Sequence, residues 1–335
     1  MDPLSQATLG AIVPQAFNRN RKKVIMATIA GAIGGMAPDL DVIIRSESDS
    51  LLFLEYHRQF THSLIFIPIG GLICAAFLWL ILKKWRGDFK SLYIFSTLGY
   101  ATHGILDSCT SYGTQLLWPF SNYRVSWDTI SIIDPLFTLP LVIAVFLGIL
   151  RKSNTWPIAG IIFGLLYMGA GWFQHDRAIT AARTLAQSRN HTPISISAKP
   201  SFANLLVFKT IYDTEDSYFV DAVRVGQEVK IYPGESIEKF QMERDFPNLD
   251  PDSQTAIDIK RFSWFSQGFL ALHPEKSNHI IDVRYSMVPN QIQPLWGIGL
   301  DPLNTSKHVR YEVYGRNPKK RGPLLLKMIR GEPLN

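Results

Sequence analysis

Long apolar runs separated by short polar segments dominate the first half of the chain. Residues 64–82 contain no charged side chain, and Lys83 and Lys84 follow them directly. A helix rises about 1.5 Å per residue, so this run can cross a hydrocarbon core of about 30 Å. Residues 92–107, 135–150 and 156–173 form three similar runs. The pattern therefore predicts four membrane spans.

A fifth apolar run, residues 24–44, has a different character. It contains the small-residue stretch AGAIGGMA and ends in the acidic residues Asp39 and Asp41. Small residues allow close helix packing, and irregular backbone at membrane depth is tolerated where protein covers it. This run is compatible with a further span and with a packed or re-entrant helix.

The pattern changes after residue 173. A polar, helical connector is expected first, and from residue 193 short runs rich in Val, Ile, Phe and Tyr alternate with Pro, Gly, Asp and Asn; examples are NLLVFKTIY, SYFVDAVRV and HIIDVRYSMV. Such runs are typical of strands. The predicted fold is an α-helical polytopic membrane domain of four or five spans at residues 1–175, a connector at 176–192, and a β-rich extramembrane domain at 193–335.

Composition supports a membrane protein. The 335 residues are 47% hydrophobic and 19% charged, too apolar for one ordinary soluble domain. The net charge is +6, but the basic residues sit at the ends of apolar runs, so the lipid bilayer is the expected partner and no nucleic acid is expected. Cys74 and Cys109 are too few for a disulfide framework or a cysteine zinc site. No cleavable signal peptide is expected, since the first charge cluster follows a weak apolar stretch.

The distribution of Lys and Arg predicts an orientation. If residues 24–44 span, the basic clusters all fall on one side, which the positive-inside rule makes cytoplasmic. These residues are Arg19, Arg21, Lys22, Lys23, Lys83, Lys84, Arg86, Lys90, Arg151 and Lys152. We expect a multi-pass membrane protein whose segments 45–63 and 108–134 and C-terminal domain are extracytoplasmic.

Acids and imidazoles gather beside the apolar runs on the predicted outer side. They occur in MAPDLDVI, in HRQFTHS and at the end of the second run, and comprise Asp39, Asp41, His57, His62, His103 and Asp107. Ionisable groups at membrane depth are costly and usually functional. His103 and Asp107 are four residues apart and share a helix face, whereas His57 and His62 converge only if the backbone turns between them.

Mixed imidazole and carboxylate groups suit a divalent metal such as zinc, manganese, iron or magnesium, and of these zinc or manganese is favoured. The candidate ligands are Asp41, His57, His62, His103 and Asp107, and the candidate proton acceptors are Asp39 and Asp128. Arg58, Arg124 and Asp134 are candidates for holding substrate or orienting ligands. The number of metals stays open.

Other interpretations account for the same residues. His103 and Asp107 could close a helix bundle through a hydrogen bond, or belong to an ion or proton pathway. Arg58 and Arg124 could anchor the chain at the membrane interface. Trp118, Tyr123 and Trp127 could line a substrate cleft or form an interfacial aromatic belt.

Several motifs together resemble one known family. MDPLSQATLGA, APDLDVI, HRQFTHSL, ATHGILDSCTSYGTQLLWPFS and IIDPLFTLPL are similar to the LexA-regulated, inner-membrane-associated family of metal-dependent hydrolases, and RYSMVPNQIQPLWGIGLD to its C-terminal part. The resemblance implies a metal site at Asp39, Asp41, His57, His62, His103 and Asp107. Relatives commonly begin MDPLTH, whereas Gln6 stands here in place of the histidine, either as a weaker ligand or as a group that orients one.

The predicted function is a membrane-bound metal-dependent hydrolase. Its site at the membrane boundary suggests a lipid-borne or envelope phosphoester, ester or amide as substrate. The alternative is a non-enzymatic membrane protein, an ion or proton pathway or a scaffold, in which the polar cluster is structural. The oligomeric state stays open.

Overall fold

The computed structural model describes residues 1–315 and 318–334, and the chain divides into two compact units. The first, here called the helical unit, comprises Met1–Ile43, Tyr56–Phe173 and Phe202–Leu205. The second, the β unit, comprises Ile44–Glu55, Gln174–Ser201 and Leu206–Asn335. The short segment Ile44–Glu55 therefore belongs to the β unit although helical-unit residues flank it on both sides.

Ten helices are present in the described residues. They are α1 (Pro3–Phe17), α2 (Val24–Met36), α3 (Leu52–Tyr56), α4 (Ile67–Ile81), α5 (Phe89–Ser108), α6 (Pro135–Arg151), α7 (Thr155–Ser188), α8 (Met242–Asp245), α9 (Gln254–Phe265) and α10 (Pro318–Arg330). Short 3₁₀ segments at Ala37–Ile43 and Phe60–His62 carry candidate site residues. The predicted helical connector is the last part of α7.

Three helical segments are long and apolar enough to cross a membrane: Arg21–Ile43, Leu64–Ile81 and Thr155–Ser188. The shorter α6 is apolar as well. The predicted count of four or five spans is thus not confirmed. The difference lies mainly in α5, whose face from Leu92 through Ser96 to His103 is fully buried and partly polar, as for a helix at the centre of a bundle.

Glycines bring α1, α2 and α5 into close contact. A Cβ on Gly99 of α5 would lie 2.1 Å from the carbonyl oxygen of Gly31 on α2, and one on Gly10 of α1 would lie 2.5 Å from that same oxygen. Only residues without a side chain permit this approach, which small residues typically provide in membrane helices. The packing fixes the end of α2 beside α5, where the candidate ligands lie.

The β unit contains two antiparallel four-stranded sheets. The first has the order β1 (Ser195–Pro200), β2 (Val207–Asp213), β3 (Ser217–Val225), β4 (Val229–Glu238), and the second β5 (Leu270–Leu272), β6 (His279–Asp282), β7 (Trp296–Gly299), β8 (Arg310–Val313). Ile211, Val220 and Ile281 are buried in a core shared by the sheets. The prediction of a C-terminal β-rich domain is confirmed, and α9 and α10 are additions to it.

Candidate metal centre

Three chain segments of the helical unit carry the predicted ligands. The 3₁₀ segment that continues α2 carries Asp39 and Asp41, and the 3₁₀ segment Phe60–His62 carries His62. His103 and Asp107 lie one turn apart on α5, and both are fully buried. The predicted shared helix face and the predicted turn between His57 and His62 are both present.

Four side chains converge on one point. His62 Nε2 lies 2.9 Å from His103 Nε2, and Asp39 Oδ1 lies 3.4 Å from each of these nitrogens. Asp107 Oδ2 is 3.5 Å from His62 Nε2 and 3.8 Å from His103 Nε2. One ligand atom from each of the four residues fits within 4.8 Å of the other three, a spacing that suits a single metal ion.

Hydrogen bonds on the far side of each ring fix its tautomer. His103 Nδ1 lies 2.6 Å from the carbonyl oxygen of Gly35, which can only accept, so Nδ1 carries the proton. His62 Nδ1 lies 2.9 Å from Thr61 Oγ1 and 3.3 Å from Asp41 Oδ2. In the neutral rings both Nε2 lone pairs then face the same point, as in histidine metal ligands oriented by a second group.

Asp41 holds the loop that presents the histidines. Its Oδ1 lies 2.7 Å from His57 Nδ1, while its Oδ2 accepts hydrogen bonds from the Arg58 amide at 3.0 Å and from Thr61 Oγ1 at 2.8 Å. Asp41, His57 and Asp39 form a second group with metal-compatible spacing. Because both Asp41 oxygens already accept hydrogen bonds, Asp41 is placed to orient His62 and His57.

Cationic and amide groups surround Asp107. Arg58 Nε lies 2.9 Å from Oδ2, Gln6 Nε2 donates to Oδ1 at 2.8 Å, and the amino group of Met1 also contacts Oδ1. Oδ2 accepts no hydrogen bond from the described residues, since the contact with Arg58 Nε has ion-pair geometry only. Gln6 thus touches a candidate ligand rather than the convergence point.

Acidic neighbours determine the charge of His62. Burial opposes its protonation, but the nearby carboxylates of Asp107, Asp39 and Asp41 outweigh burial and raise the pKa of His62 to about 10. For His57, burial dominates over the hydrogen bond to Asp41 and lowers the pKa. The convergence point therefore attracts a proton when no other cation is there.

Tyr112 is a neighbour of the centre that sequence reasoning missed. The Arg58 guanidinium lies 4.8 Å from the centre of its ring, the Arg124 guanidinium 5.9 Å, and the His57 ring 5.9 Å. Arg124 also donates to the Gly113 carbonyl at 3.0 Å. Only its place in the polar segment 108–134 could have drawn attention to Tyr112.

Two of the predicted acids lie outside both metal-compatible groups. Asp134 caps α6: its Oδ1 accepts from the Leu136 amide at 3.1 Å, and its Oδ2 accepts from the Tyr167 hydroxyl at 2.8 Å. Asp128 is buried in a left-handed backbone conformation with φ 52° and is a member of neither group. Neither acid is among the four side chains that converge.

Comparisons with known proteins point to the inner membrane. The model of the YdjM inner membrane protein family matches residues 1–178, which include every predicted site residue. The chain is 33% identical over 108 residues to the inner membrane protein YbcI of Escherichia coli (strain K12), covering 31% of this chain and 60% of that protein. It is 30% identical over 148 residues to the protein YfhP of Bacillus subtilis (strain 168), covering 43% and 41%. No solved structure matches.

Proposed function

Because the chain belongs to the YdjM inner membrane protein family, we propose that it is a membrane-bound, metal-dependent hydrolase with its centre at Asp39, His62, His103 and Asp107. The substrate class we propose is a lipid-borne or envelope phosphoester, ester or amide. The chain spans 60% of the length of YbcI and 41% of the length of YfhP. The activity is therefore proposed for this chain and is not extended to these relatives.

The 2.9 Å approach of His62 Nε2 to His103 Nε2 supports the proposal most strongly. Two imidazole lone pairs repel each other at this distance unless a proton or a metal cation lies between or beside them. The two adjacent carboxylates, Asp39 and Asp107, add negative charge at the same point. Two imidazoles with carboxylate oxygens form a ligand set that suits zinc or manganese.

A divalent metal at this point would supply Lewis-acid polarisation of the scissile bond and activation of water. The protein's own groups divide the remaining tasks. Asp39 is the most accessible member, with 27% of its side chain exposed, which supports the proposal that it exchanges a proton with an entering molecule. Asp41 and Gly35 hold the imidazole tautomers, as described above.

The cationic groups beside the centre favour a substrate with anionic oxygens. Arg58 and Arg124 lie on the ring of Tyr112, and Arg58 is only 4% exposed. A guanidinium suits phosphate oxygens better than it suits a neutral amide or ester. Within the proposed class, a phosphoester is therefore the first substrate to test.

A structural role for the cluster is the second candidate. Arg58, Gln6 and Met1 already contact Asp107, and a proton on His62 would relieve the repulsion between the rings. A cluster satisfied in this way could brace the bundle or pass protons without any metal.

Metal content and activity distinguish the two candidates. Purified full-length protein should retain about one zinc or manganese per chain after dialysis, His103→Ala should lose it, and His273→Ala, which removes an imidazole of the β unit, should keep it. Hydrolysis of a phosphodiester or phosphomonoester reporter should stop on chelation and return with metal. Metal-free wild type that is folded, and inert after metal addition, would favour the structural role.

A further inference from the structure

A cavity lined by basic residues lies away from the metal centre. It has a volume of about 220 Å³ and lies between the end of α1, the start of α2 and the turn that joins α6 to α7. Arg19, Arg21 and Lys152 line it together with Gln15 and Asn154. All of these residues belong to the helical unit.

No acidic side chain in the described part of the chain neutralises the positive charge of this cavity. Within the described residues no ion pair joins Arg19, Arg21 or Lys152 to an acidic side chain, whereas neighbouring Lys23 pairs with Asp88 at 2.5 Å. The sequence has no acid between Asp2 and Asp39. Three uncompensated cations around one cavity favour an anion, and the planar guanidinium groups favour phosphate.

Gln15, which lines the cavity, has a buried oxygen without a hydrogen-bond partner among the described residues. Gln15 is 2% exposed; its Nε2 donates to Thr28 Oγ1 at 2.6 Å and to the Val145 carbonyl at 3.3 Å. Its Oε1 accepts no hydrogen bond from the described part of the chain. Buried polar atoms are rarely left in this state, so a ligand that carries a hydroxyl or ammonium donor as well as an anionic group would complete the site.

Apolar side chains beside the cavity indicate where such a ligand comes from. Phe17 is 70% exposed, Leu150 59%, Trp156 43% and Ile25 42%. These residues lie at the helix ends next to the basic lining and can contact acyl chains while the cations hold a headgroup. A free phosphate ion would use the cations but would leave this apolar surface unexplained.

We propose that this cavity binds the headgroup of an anionic membrane phospholipid, with the phosphate held by Arg19, Arg21 and Lys152. Basic pockets between membrane helices are a known way to hold such headgroups. The alternative origin of the charges is the positive-inside rule alone, which requires basic residues at helix ends but no cavity and no specific binding. The site is independent of the proposed hydrolase centre.

Native mass spectrometry of the full-length protein in detergent tests the proposal. The protein is titrated with phosphatidylglycerol, with zwitterionic phosphatidylcholine, and with inorganic phosphate. The variant Arg19→Gln/Arg21→Gln/Lys152→Gln should bind phosphatidylglycerol about 100-fold more weakly than wild type, on the basis of three phosphate-directed cations. The matched control Lys83→Gln/Lys84→Gln/Arg86→Gln removes the same charge from another helix end and should change the affinity by less than about twofold.

A second variant controls for a change in membrane insertion caused by the triple substitution. Asn154→Trp fills the cavity without changing the charge and should also weaken phosphatidylglycerol binding by about tenfold or more. Equal losses in the site variant and the charge control would overturn the proposal, because they would show diffuse electrostatic attraction. Binding of inorganic phosphate with no preference for phosphatidylglycerol over phosphatidylcholine would overturn the assignment to a lipid.

Discussion

His62 and His103 point their Nε2 atoms at each other across 2.9 Å, while the Nδ1 atom of each ring meets a different fixed group. The Gly35 carbonyl meets His103, and Thr61 with Asp41 meets His62. The two rings come from segments 41 residues apart, so this arrangement depends on the tertiary fold. Metal affinity at the centre should therefore depend on groups that do not touch the convergence point.

Substitution of Asp41 tests that sensitivity. Asp41→Asn keeps the size of the side chain but can offer an N–H where His62 Nδ1 and Thr61 now find an acceptor, so the ring loses its preferred tautomer. We expect metal affinity to fall about 10- to 100-fold without being abolished, as for other groups that orient ligands. Competition with a fluorescent zinc chelator measures this fall. His62→Ala is the comparison and should lose binding completely; an unchanged affinity in Asp41→Asn would contradict the orienting role.

Gln6 supplies the second prediction. Its Nε2 donates to Asp107 Oδ1 at 2.8 Å, and an imidazole N–H at this position could make the same contact. Gln6→His should therefore retain metal affinity within about threefold, whereas Gln6→Ala should weaken it by about tenfold because Asp107 loses a donor that orients it. The same chelator competition applies. A gain of about 100-fold or more in Gln6→His would instead show that a histidine here becomes a direct ligand.

The convergence of the candidate ligands could be predicted from sequence because their residue types are rare beside apolar runs. The i,i+4 spacing placed His103 and Asp107 on one face, and a separation of five positions required a turn between His57 and His62. Asp134 illustrates the opposite case: it caps α6, and capping an α-helix uses the same residue type as binding a metal. The contact of Tyr112 with two arginines depends on a loop conformation for which no local pattern exists.

The number of membrane spans could not be predicted from sequence with certainty, because an apolar run fits both a lipid-facing helix and a helix buried inside the bundle. The apolar run in α5 resembles a membrane-crossing helix, yet its polar positions Ser96, His103 and Asp107 are fully buried against other helices. The spacing of apolar residues distinguishes a lipid-facing helix from a central one only when it is known which face of the helix is exposed. By contrast, SYFVDAVRV was predicted as a strand and forms β3 over the same nine residues, since alternation and bounding turn residues are local signals.

A third prediction concerns Arg261, which holds the segment Ile44–Glu55 within the β unit. Its guanidinium donates to Asp49 at 2.8 Å, to Glu55 at 2.5 Å and to Asp258 at 2.8 Å. Arg261→Ala leaves three carboxylates without their shared cation, so the segment should open more often. Trypsin cleavage after Arg45 should become about tenfold faster, as read by mass spectrometry.

The control for Arg261 is another arginine of the β unit. Arg244 pairs with Asp245 at 2.7 Å but is 40% exposed, and exposed pairs contribute little to stability. Arg244→Ala should leave cleavage after Arg45 unchanged. Equal acceleration in both variants would show that general loosening of the β unit, rather than release of Ile44–Glu55, causes the effect.

The fourth prediction concerns topology. By the positive-inside rule, the basic clusters at one set of helix ends predict that the β unit lies outside the cytoplasm. A reporter enzyme that is active only after export, fused at the C-terminus, should be active, and a fluorescent reporter that folds only in the cytoplasm should be dark. The reverse pattern would put the β unit and the metal centre's polar segments on the cytoplasmic side. Fusions after Lys152 should give the opposite result to the C-terminal fusions.

The last prediction follows from a buried amine in the β unit. Lys209 on β2 is 4% exposed, and its Nζ donates to Ser286 Oγ at 2.9 Å and to the Gln291 carbonyl at 2.9 Å. Neither acceptor is a carboxylate. Burial therefore outweighs the more distant attraction of Glu235 and lowers the pKa of Lys209 to about 7. In the unfolded chain the same amine titrates near its ordinary pKa of about 10.4.

Between these two pKa values the unfolded state binds the proton and the folded state does not. The free energy of unfolding should therefore rise with pH from about 7 to about 10, whereas below pH 7 both states are protonated and the cost of the buried charge is fully present. Lys209→Met removes the titrating group and should flatten this rise by up to about 2 kcal/mol between pH 7 and 9. Pulse proteolysis of the full-length protein in urea, with fragments from the β unit quantified at both pH values, measures the difference. If the variant kept the full rise, Lys209 would be charged in the folded protein, and its hydrogen bonds to Ser286 and Gln291 would be those of an ammonium group at every pH tested.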